Sequence, residues 1–277
     1  MLTETKIGCI GGGNMAEAII KGLLAGAVPP ENITVAEPVE ERRIYLSSTY
    51  GIGTTEDNSC AVSFGEVIIL AVKPQVSLNA LRAIAGEVAA GKLFISIMAG
   101  VKTNTIEAAL PKGVRVIRVM PNTPALVLAA ASAVSPGTNA TSNDVSLALS
   151  IFNLLGTACT VEEKLLDAVT GLSGSGPAYV FTFIETLSDA GVKNGLPRDV
   201  ATRLAVQTVY GSAKLVLDTR EHPALLKEKV TSPGGTTIAG LQVLEQGGFR
   251  GTVMGAVEAA TVRSTELGKA QQAVEKT

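Results

Sequence analysis

The chain of 277 residues has no tryptophan, a single histidine (His222), three cysteines, six phenylalanines and four tyrosines. Nucleic-acid surfaces combine basic stripes with stacking rings. Here 23 Lys and Arg stand against 25 Asp and Glu, the net charge is −2 and no basic run occurs, which argues against a nucleic-acid partner. Cys9, Cys60 and Cys159 lie far apart without the paired spacing of a metal site, so reduced thiols and no bound metal are expected. Hydrophobic residues make up 46% of the chain, yet no apolar run reaches the ~18 residues needed to cross a bilayer. Glu4 and Lys6 stand at the start of the first short strand, unlike the core of a signal peptide, and a cytoplasmic location is expected.

Glycine is plentiful, with 29 residues, and two of its clusters precede helical patterns. Near the N-terminus, Lys6–Ile10 reads as a short strand. Gly11-Gly12-Gly13-Asn14-Met15-Ala16 follows, and a helical pattern then runs through Ala18, Ile19, Leu23 and Leu24. This is the dinucleotide fingerprint in its proper place. Gly11 makes the tight turn, Gly13 admits a pyrophosphate to the backbone, and small Ala16 permits close helix–strand packing. Near the C-terminus, Ser232-Pro233-Gly234-Gly235-Thr236-Thr237 precedes a pattern of Ile238, Leu241 and Leu244. A helix start leaves N–H groups unpaired at the positive end of its dipole, so this loop forms either an ordinary capped turn or a nest sized for a carboxylate.

Up to about residue 160 strands alternate with helices. Strand candidates are Lys6–Ile10, Ile33–Ala36, Ile52–Thr54, Val67–Val72, Leu93–Ile97 and Val114–Val119, several of them continuous apolar runs suited to a sheet covered on both faces. Such alternation predicts a Rossmann-like, doubly wound, mainly parallel sheet. Beyond Val161 the patterns are helical: Leu165–Thr170, Ala178–Asn194, Val200–Leu217, Thr237–Gln246 and Thr252–Leu267, with breaks at Gly195-Leu196-Pro197, His222-Pro223 and Gly247-Gly248. The expected organisation is a dinucleotide-binding domain over 1–160 and an all-α domain over 161–277. Helical stretches with little polar face, such as Ala201–Leu217, predict burial against a second copy.

Ligands of such a sheet lie at the carboxyl ends of its strands. Those ends carry Gly11–Met15, Ala36-Glu37-Pro38, Ala71-Val72-Lys73-Pro74, Met98-Ala99-Gly100 and Met120-Pro121-Asn122-Thr123-Pro124. Each has a plainer reading, Lys73 as a solvated lysine and the prolines as strand stops, but they recur after successive strands. Glu37 stands where an acid accepts the ribose hydroxyls and disfavours a 2′-phosphate, which points to NAD(H). Arg42 and Arg43 start the next helix and reach toward a phosphate, and Ala36 competes with Glu37 for the decisive position, so the preference stays open between NADP(H) and NAD(H).

These residues together resemble the pyrroline-5-carboxylate reductase family over essentially the full length. The most specific parts are Ile10–Ala16, Ala71–Pro74, Arg118–Pro124, Asp167–Tyr179 and the Ser-Pro-Gly-Gly-Thr-Thr loop. The resemblance implies reduction of L-1-pyrroline-5-carboxylate to L-proline by hydride transfer from NAD(P)H, the last step of proline biosynthesis. It implies cofactor contacts from Gly11, Gly12, Gly13, Asn14, Met15, Ala36, Glu37, Asn58, Ala71, Val72, Lys73, Pro74, Ala99 and Asn122. Substrate contacts are implied for Ser232, Gly234, Gly235, Thr236, Thr237 and Glu163, with Thr237 hydrogen-bonded to the ring nitrogen as the catalytic candidate. It also implies a homodimer, or a decamer of dimers, built through the helical domain.

An iminium carbon is already electrophilic, so the chemistry needs positioning and water exclusion and no strong base, in keeping with one histidine. His222 precedes Pro223 and reads as a helix start. For Glu163 the alternative is complementing a helix dipole. For Ser173–Gly176 with Pro177, a pocket floor and close helix packing are both open. A related imine or β-hydroxyacid reductase shares the fingerprint, but Lys164, Lys193 and Lys214 lack the glycine-rich partner that the β-hydroxyacid class places beside its catalytic lysine. A non-catalytic dinucleotide sensor has no use for a carboxylate nest.

Overall fold

The computed structural model describes residues 2–89 and 91–274. Fourteen sequential elements, separated in places by single 3₁₀ turns, build the first unit: β1 (Ile7–Ile10), α1 (Asn14–Ala25), β2 (Ile33–Ala36), α2 (Glu40–Tyr50), β3 (Gly53–Thr55), α3 (Asn58–Phe64), β4 (Val67–Leu70), α4 (Ser77–Ile84), β5 (Leu93–Ser96), α5 (Thr103–Ala109), β6 (Arg115–Met120), β7 (Ala130–Pro136), α6 (Ser142–Asn153) and β8 (Gly156–Thr160). The strands form one sheet in the order β3-β2-β1-β4-β5-β6-β7-β8. All neighbours are parallel except β6 and β7.

Alternation along the strands explains why they read as unbroken apolar runs. Ile7 and Cys9, Val67 and Ile69, Leu93 and Ile95, and Ile117 and Val119 join one hydrophobic cluster, with helical residues Ile19, Leu23 and Phe152. The intervening Ile10, Ile68, Leu70, Phe94 and Val116 join another, with Leu81, Ile84 and Ile106. Both faces are covered, and period two hides inside a continuous run. Burial also pushes the Cys9 thiol up to about 12, so this cysteine is inert.

The expected doubly wound sheet is present, with two additions. Strands β7 and β8 carry sequences (Ala-Ala-Ser-Ala-Val-Ser-Pro and Gly-Thr-Ala-Cys-Thr) too small and polar for a strand signal. They extend the sheet through pairing to β6, a tertiary effect that overrides weak propensity. The third strand lies at Gly53–Thr55, one residue beyond the expected Ile52–Thr54.

The remaining chain is helical: α7 (Leu166–Val169), a π-helical turn over Thr170–Gly174, α8 (Gly176–Lys193), α9 (Arg198–Thr219), α10 (Pro223–Lys229), α11 (Thr236–Gln246) and α12 (Phe249–Val274). The chain divides into two compact units, one of Met1–Ser175 with Ala259–Thr277 and one of Gly176–Glu258. The boundary expected at 160/161 therefore differs from the observed one. Asp167 accepts hydrogen bonds from Ser264 Oγ (2.7 Å) and Thr265 Oγ1 (3.0 Å), which ties the latter part of α12 to α7. No local pattern announces a pairing across almost a hundred residues.

Within the helical unit α8 packs along α9, and Ser188 Oγ and Thr202 Oγ1 share a hydrogen bond of 2.7 Å. His222 begins α10, its Nδ1 accepting from the Ala224 N–H at 3.2 Å, the helix-start role expected for it. Few residues of this unit are buried. Phe181 (62% exposed), Leu217 (72%), Val243 (67%) and Met254 (72%) lie on its surface.

Candidate active site

Each glycine of Gly11-Gly12-Gly13 meets a different demand. Gly11 has φ +97°, and a Cβ there would approach the Ala71 carbonyl oxygen to 2.7 Å. Its N–H donates to Ala36 O at 2.8 Å, so β1 turns out of the sheet with its last amide paired. A Cβ on Gly12 would sit 2.9 Å from Leu46 Cδ1. Gly13 differs: nothing of the protein lies within 4 Å of its Cβ position. No internal packing accounts for glycine there, and the vacant space borders the start of α1. That helix start has no side-chain cap, so its first N–H groups face outward with the dipole's positive end behind them. The cradle suits a pyrophosphate.

The loop rests on a charge network. Arg42 Nε donates to Gly12 O (2.6 Å) and Arg42 Nη2 to Glu17 Oε2 (2.6 Å). Tyr50 and Tyr45 hydroxyls donate to Glu17 Oε1 at 2.6 and 3.0 Å. Burial pushes the Glu17 carboxyl up, but the hydrogen bonds from Tyr50, Arg42 and Tyr45 and the Arg42 charge outweigh it and hold the group at about 2. Burial and the neighbouring Glu17 carboxylate push the Tyr50 hydroxyl up. Sequence reasoning did not single out Glu17, Tyr45 or Tyr50. The available signal was an acid in the first turn after the glycines, facing an arginine on the next helix.

Ala36 is fully buried, so any contact from it is through backbone, and side-chain reach at this strand end belongs to Glu37. Glu37 Oε2 accepts from the Gly12 N–H (2.8 Å) and Oε1 from the Val39 N–H (3.0 Å). Arg42 is committed to Glu17. Arg43 Nη1 donates to the carbonyls of Glu37 and Pro38, both at 2.8 Å. Neither arginine stands as a free phosphate ligand. Asn58 opens α3, and its side chain makes no hydrogen bond among the described residues.

A groove of about 290 Å³ collects the remaining strand ends, with Met15, Ala71, Val72, Lys73, Pro74 and Ala99 on its walls. Asn14 is exposed beside Gly13. Asn122 is not free for a ligand: its Nδ2 donates to Ser173 O (3.0 Å) and its Oδ1 accepts from the Ala131 N–H (2.9 Å). These bonds clamp the side chain onto the π-helical turn, which leaves the Asn122 backbone to meet a cofactor. Gly174, in that turn, would bring a Cβ within 2.9 Å of Met120 Cε, so close packing accounts for this glycine.

Glu163 also proves occupied. Oε1 accepts from the Thr103 N–H (2.8 Å) and from Arg118 Nη1 (3.2 Å), and Oε2 from Thr103 Oγ1 (2.8 Å). A substrate-binding role for it competes with three protein donors.

In the helical unit, Gly235 N donates to Ser232 O (3.1 Å) across Pro233 and Gly234, and Gly234 has φ +66°, the geometry of a type II turn. Gly235 serves as N-cap of α11 with no side-chain cap, and a Cβ there would strike Ser232 Oγ. Thr236 and Thr237 occupy the first turn. The Gly235 N–H is spent on Ser232, and those of Thr236 and Thr237 have no acceptor among the described residues.

A doubly wound sheet with an uncapped glycine-rich helix start and a groove along its strand ends is the architecture of a dinucleotide-binding protein. Residues 6–100 match the family described as NADP oxidoreductase, coenzyme F420-dependent, and residues 163–267 match pyrroline-5-carboxylate reductase dimerisation. The chain belongs to the pyrroline-5-carboxylate reductase family. It is 49% identical to the pyrroline-5-carboxylate reductase of Methanosarcina acetivorans over 269 residues, 97% of this chain and 100% of the relative. Its fold matches the solved pyrroline-5-carboxylate reductase of Coxiella burnetii with a TM-score of 0.91 at 36% identity, covering 95% of this chain and 98% of the other. The Plasmodium falciparum pyrroline carboxylate reductase, solved with NADP bound, matches at 0.85 and 34% identity, covering 96% and 98%. The chain is an NAD(P)H-dependent oxidoreductase of this family and carries its dimerisation segment. Among the described residues no helix is long and apolar enough to cross a membrane.

Proposed function

We propose that the chain reduces L-1-pyrroline-5-carboxylate to L-proline, the last step of proline biosynthesis. The observation that carries the reading is Gly13: a glycine that no internal contact requires, at an uncapped helix start beside a groove. The Gly11–Met15 loop holds the dinucleotide phosphates, Glu37 and Asn58 face the adenosine ribose, and Ala71–Pro74 with Ala99 line the nicotinamide end. A reduced nicotinamide supplies the hydride when bound.

The chain's own residues do the rest. Backbone N–H groups of Thr236 and Thr237, with the Ser232 and Thr236 hydroxyls, bind the substrate carboxylate, a charge-assisted contact that fixes the ring. Thr237 Oγ1 accepts from the protonated ring nitrogen and keeps the C=N carbon polarised while the hydride adds there. No strong base takes part, since the amine formed exchanges its proton with water. Glu163, expected among the substrate ligands, is assigned instead to ordering Thr103 and Arg118. The exposed apolar residues of the helical unit support a homodimer formed through it, the unit from which a decamer of dimers would be built. The unpaired thiols at Cys60 and Cys159 support a cytoplasmic location.

A steady-state assay of pyrroline-5-carboxylate with NADPH or NADH tests the reading. Consumption of the reduced cofactor with formation of proline is expected, and tight dinucleotide binding without turnover would refute it in favour of a sensor.

A further inference from the structure

A polar cavity of about 210 Å³ in the sheet-containing unit is lined by none of the residues of the glycine-rich loop. Its walls carry four cations (Lys102, Arg118, Lys164 and Lys269) against two carboxylates, Glu163 and Asp167. Glu163 is balanced by Arg118, whereas Asp167 keeps its charge and is held by neutral hydroxyls, so three cations face one unbalanced carboxylate. Glu163 is saturated by Thr103 and Arg118, and Asp167 accepts from Ser264 and Thr265.

Arg118 is the anchor. It is held on β6 with its side chain only 7% exposed. Among the described residues its guanidinium makes one hydrogen bond, Nη1 to Glu163. Nε and Nη2 have no acceptor among those residues, and neither is among the sealed, unpartnered polar atoms, so they open on the cavity. Lys102 and Lys269 have no carboxylate within ion-pair distance among the described residues. Lys164 pairs with Glu162 at 2.6 Å, on the exposed rim. Glu163 balances the Arg118 charge through one N–H and leaves the other guanidinium N–H groups facing the cavity, which the exposed Lys102 and Lys269 ammonium groups rim. Guanidinium geometry favours a bidentate oxyanion.

We propose that this cavity is a second anion site, for a small doubly charged oxyanion of the phosphate class, either free phosphate or the phosphoryl group of a small monoester. The cavity holds such a group and is too small for a dinucleotide. Its occupant shields Arg118 and draws Lys102 and Lys269 together across β5–α5 and α12. The proposal stands independently of the reductase reading.

The test is titration of inorganic phosphate into the full chain saturated with NADH, followed by calorimetry and by phosphorus NMR. Glycerol phosphate and succinate are titrated in parallel. Binding of phosphate is expected, weakening as chloride rises. The double variant Lys102→Ala/Lys269→Ala leaves both residues of the rim without charge and should bind phosphate at least about tenfold more weakly, with unchanged NADH affinity. Gly13→Val should bind phosphate as the wild type does. Equal phosphate affinity in the double variant and the wild type would overturn the proposal. So would phosphate binding that appears only when NADH is left out, which places the ion at the dinucleotide loop. Binding of succinate without phosphate would overturn the ligand class. Glycerol phosphate binding as tightly as phosphate identifies a monoester as an acceptable source, and its exclusion restricts the site to the free ion.

Discussion

Replacing Glu17 by Gln removes the carboxylate beneath the glycine-rich loop while keeping its shape. In the wild type the hydrogen bonds of Tyr50, Arg42 and Tyr45 overcome burial and hold the group at about 2, against an ordinary 4.5. A carboxyl depressed on folding contributes stability that is complete above about 4.5 and is lost as pH falls toward 2. The depression corresponds to about 3 kcal/mol. The Arg42 side chain is 24% exposed, so solvent screens part of this, leaving about 2 kcal/mol. Urea unfolding at fixed protomer concentration should therefore show a gap of about 2 kcal/mol between wild type and Glu17→Gln at neutral pH. That gap should close as the pH is lowered from about 4.5 toward 2. Freed from Glu17, Arg42 holds Gly12 O less firmly, so dinucleotide affinity should fall several-fold while turnover at saturating cofactor changes little. A gap that is the same at pH 3 as at pH 7 would refute the electrostatic argument, and unaltered dinucleotide affinity would refute the link to the loop.

Gly13→Val should fold with a near wild-type Tm, because its Cβ position is open, yet lose dinucleotide binding by at least about a hundredfold. Gly11→Ala, by contrast, should lower the Tm, since φ +97° and the Ala71 carbonyl both oppose a side chain. A folded Gly13→Val that binds NADH normally would remove the loop from the site. Glu37→Ser should shift the NADPH-to-NADH preference toward NADPH by about tenfold, the effect of one lost repulsion of about 1.4 kcal/mol. An unmoved ratio in parallel steady-state assays would show that Glu37 only props up Gly12 and Val39. Thr237→Val should lower kcat/KM by one to two orders of magnitude, on the scale of a lost charge-assisted hydrogen bond of about 1.5–3 kcal/mol, without altering cofactor affinity. Wild-type kcat/KM in that variant would exclude Thr237 from the mechanism.

The sequence by itself determined what depends on near neighbours. Apolar runs specified most of the first six strands, because a strand covered on both faces buries most of its positions, as in Val67–Leu70 and Leu93–Ile95. Two glycine clusters marked helix starts whose amides stay open, because positive φ at Gly11 and Gly234 and the missing side chains at Gly13 and Gly235 are local backbone properties. His222 was legible as the start of α10 for the same reason. Tertiary structure alone decided which side chains remain free to bind. Asn122 spends its amide on Ser173 and Ala131, Glu163 its carboxylate on Thr103 and Arg118, and Arg42 its guanidinium on Gly12 and Glu17. It also decided that β7 and β8 join the sheet and that Asp167 returns the end of α12 to the first unit. Backbone conformation is fixed over a few residues, whereas a hydrogen bond across dozens of residues exists only once the fold has brought its two ends together.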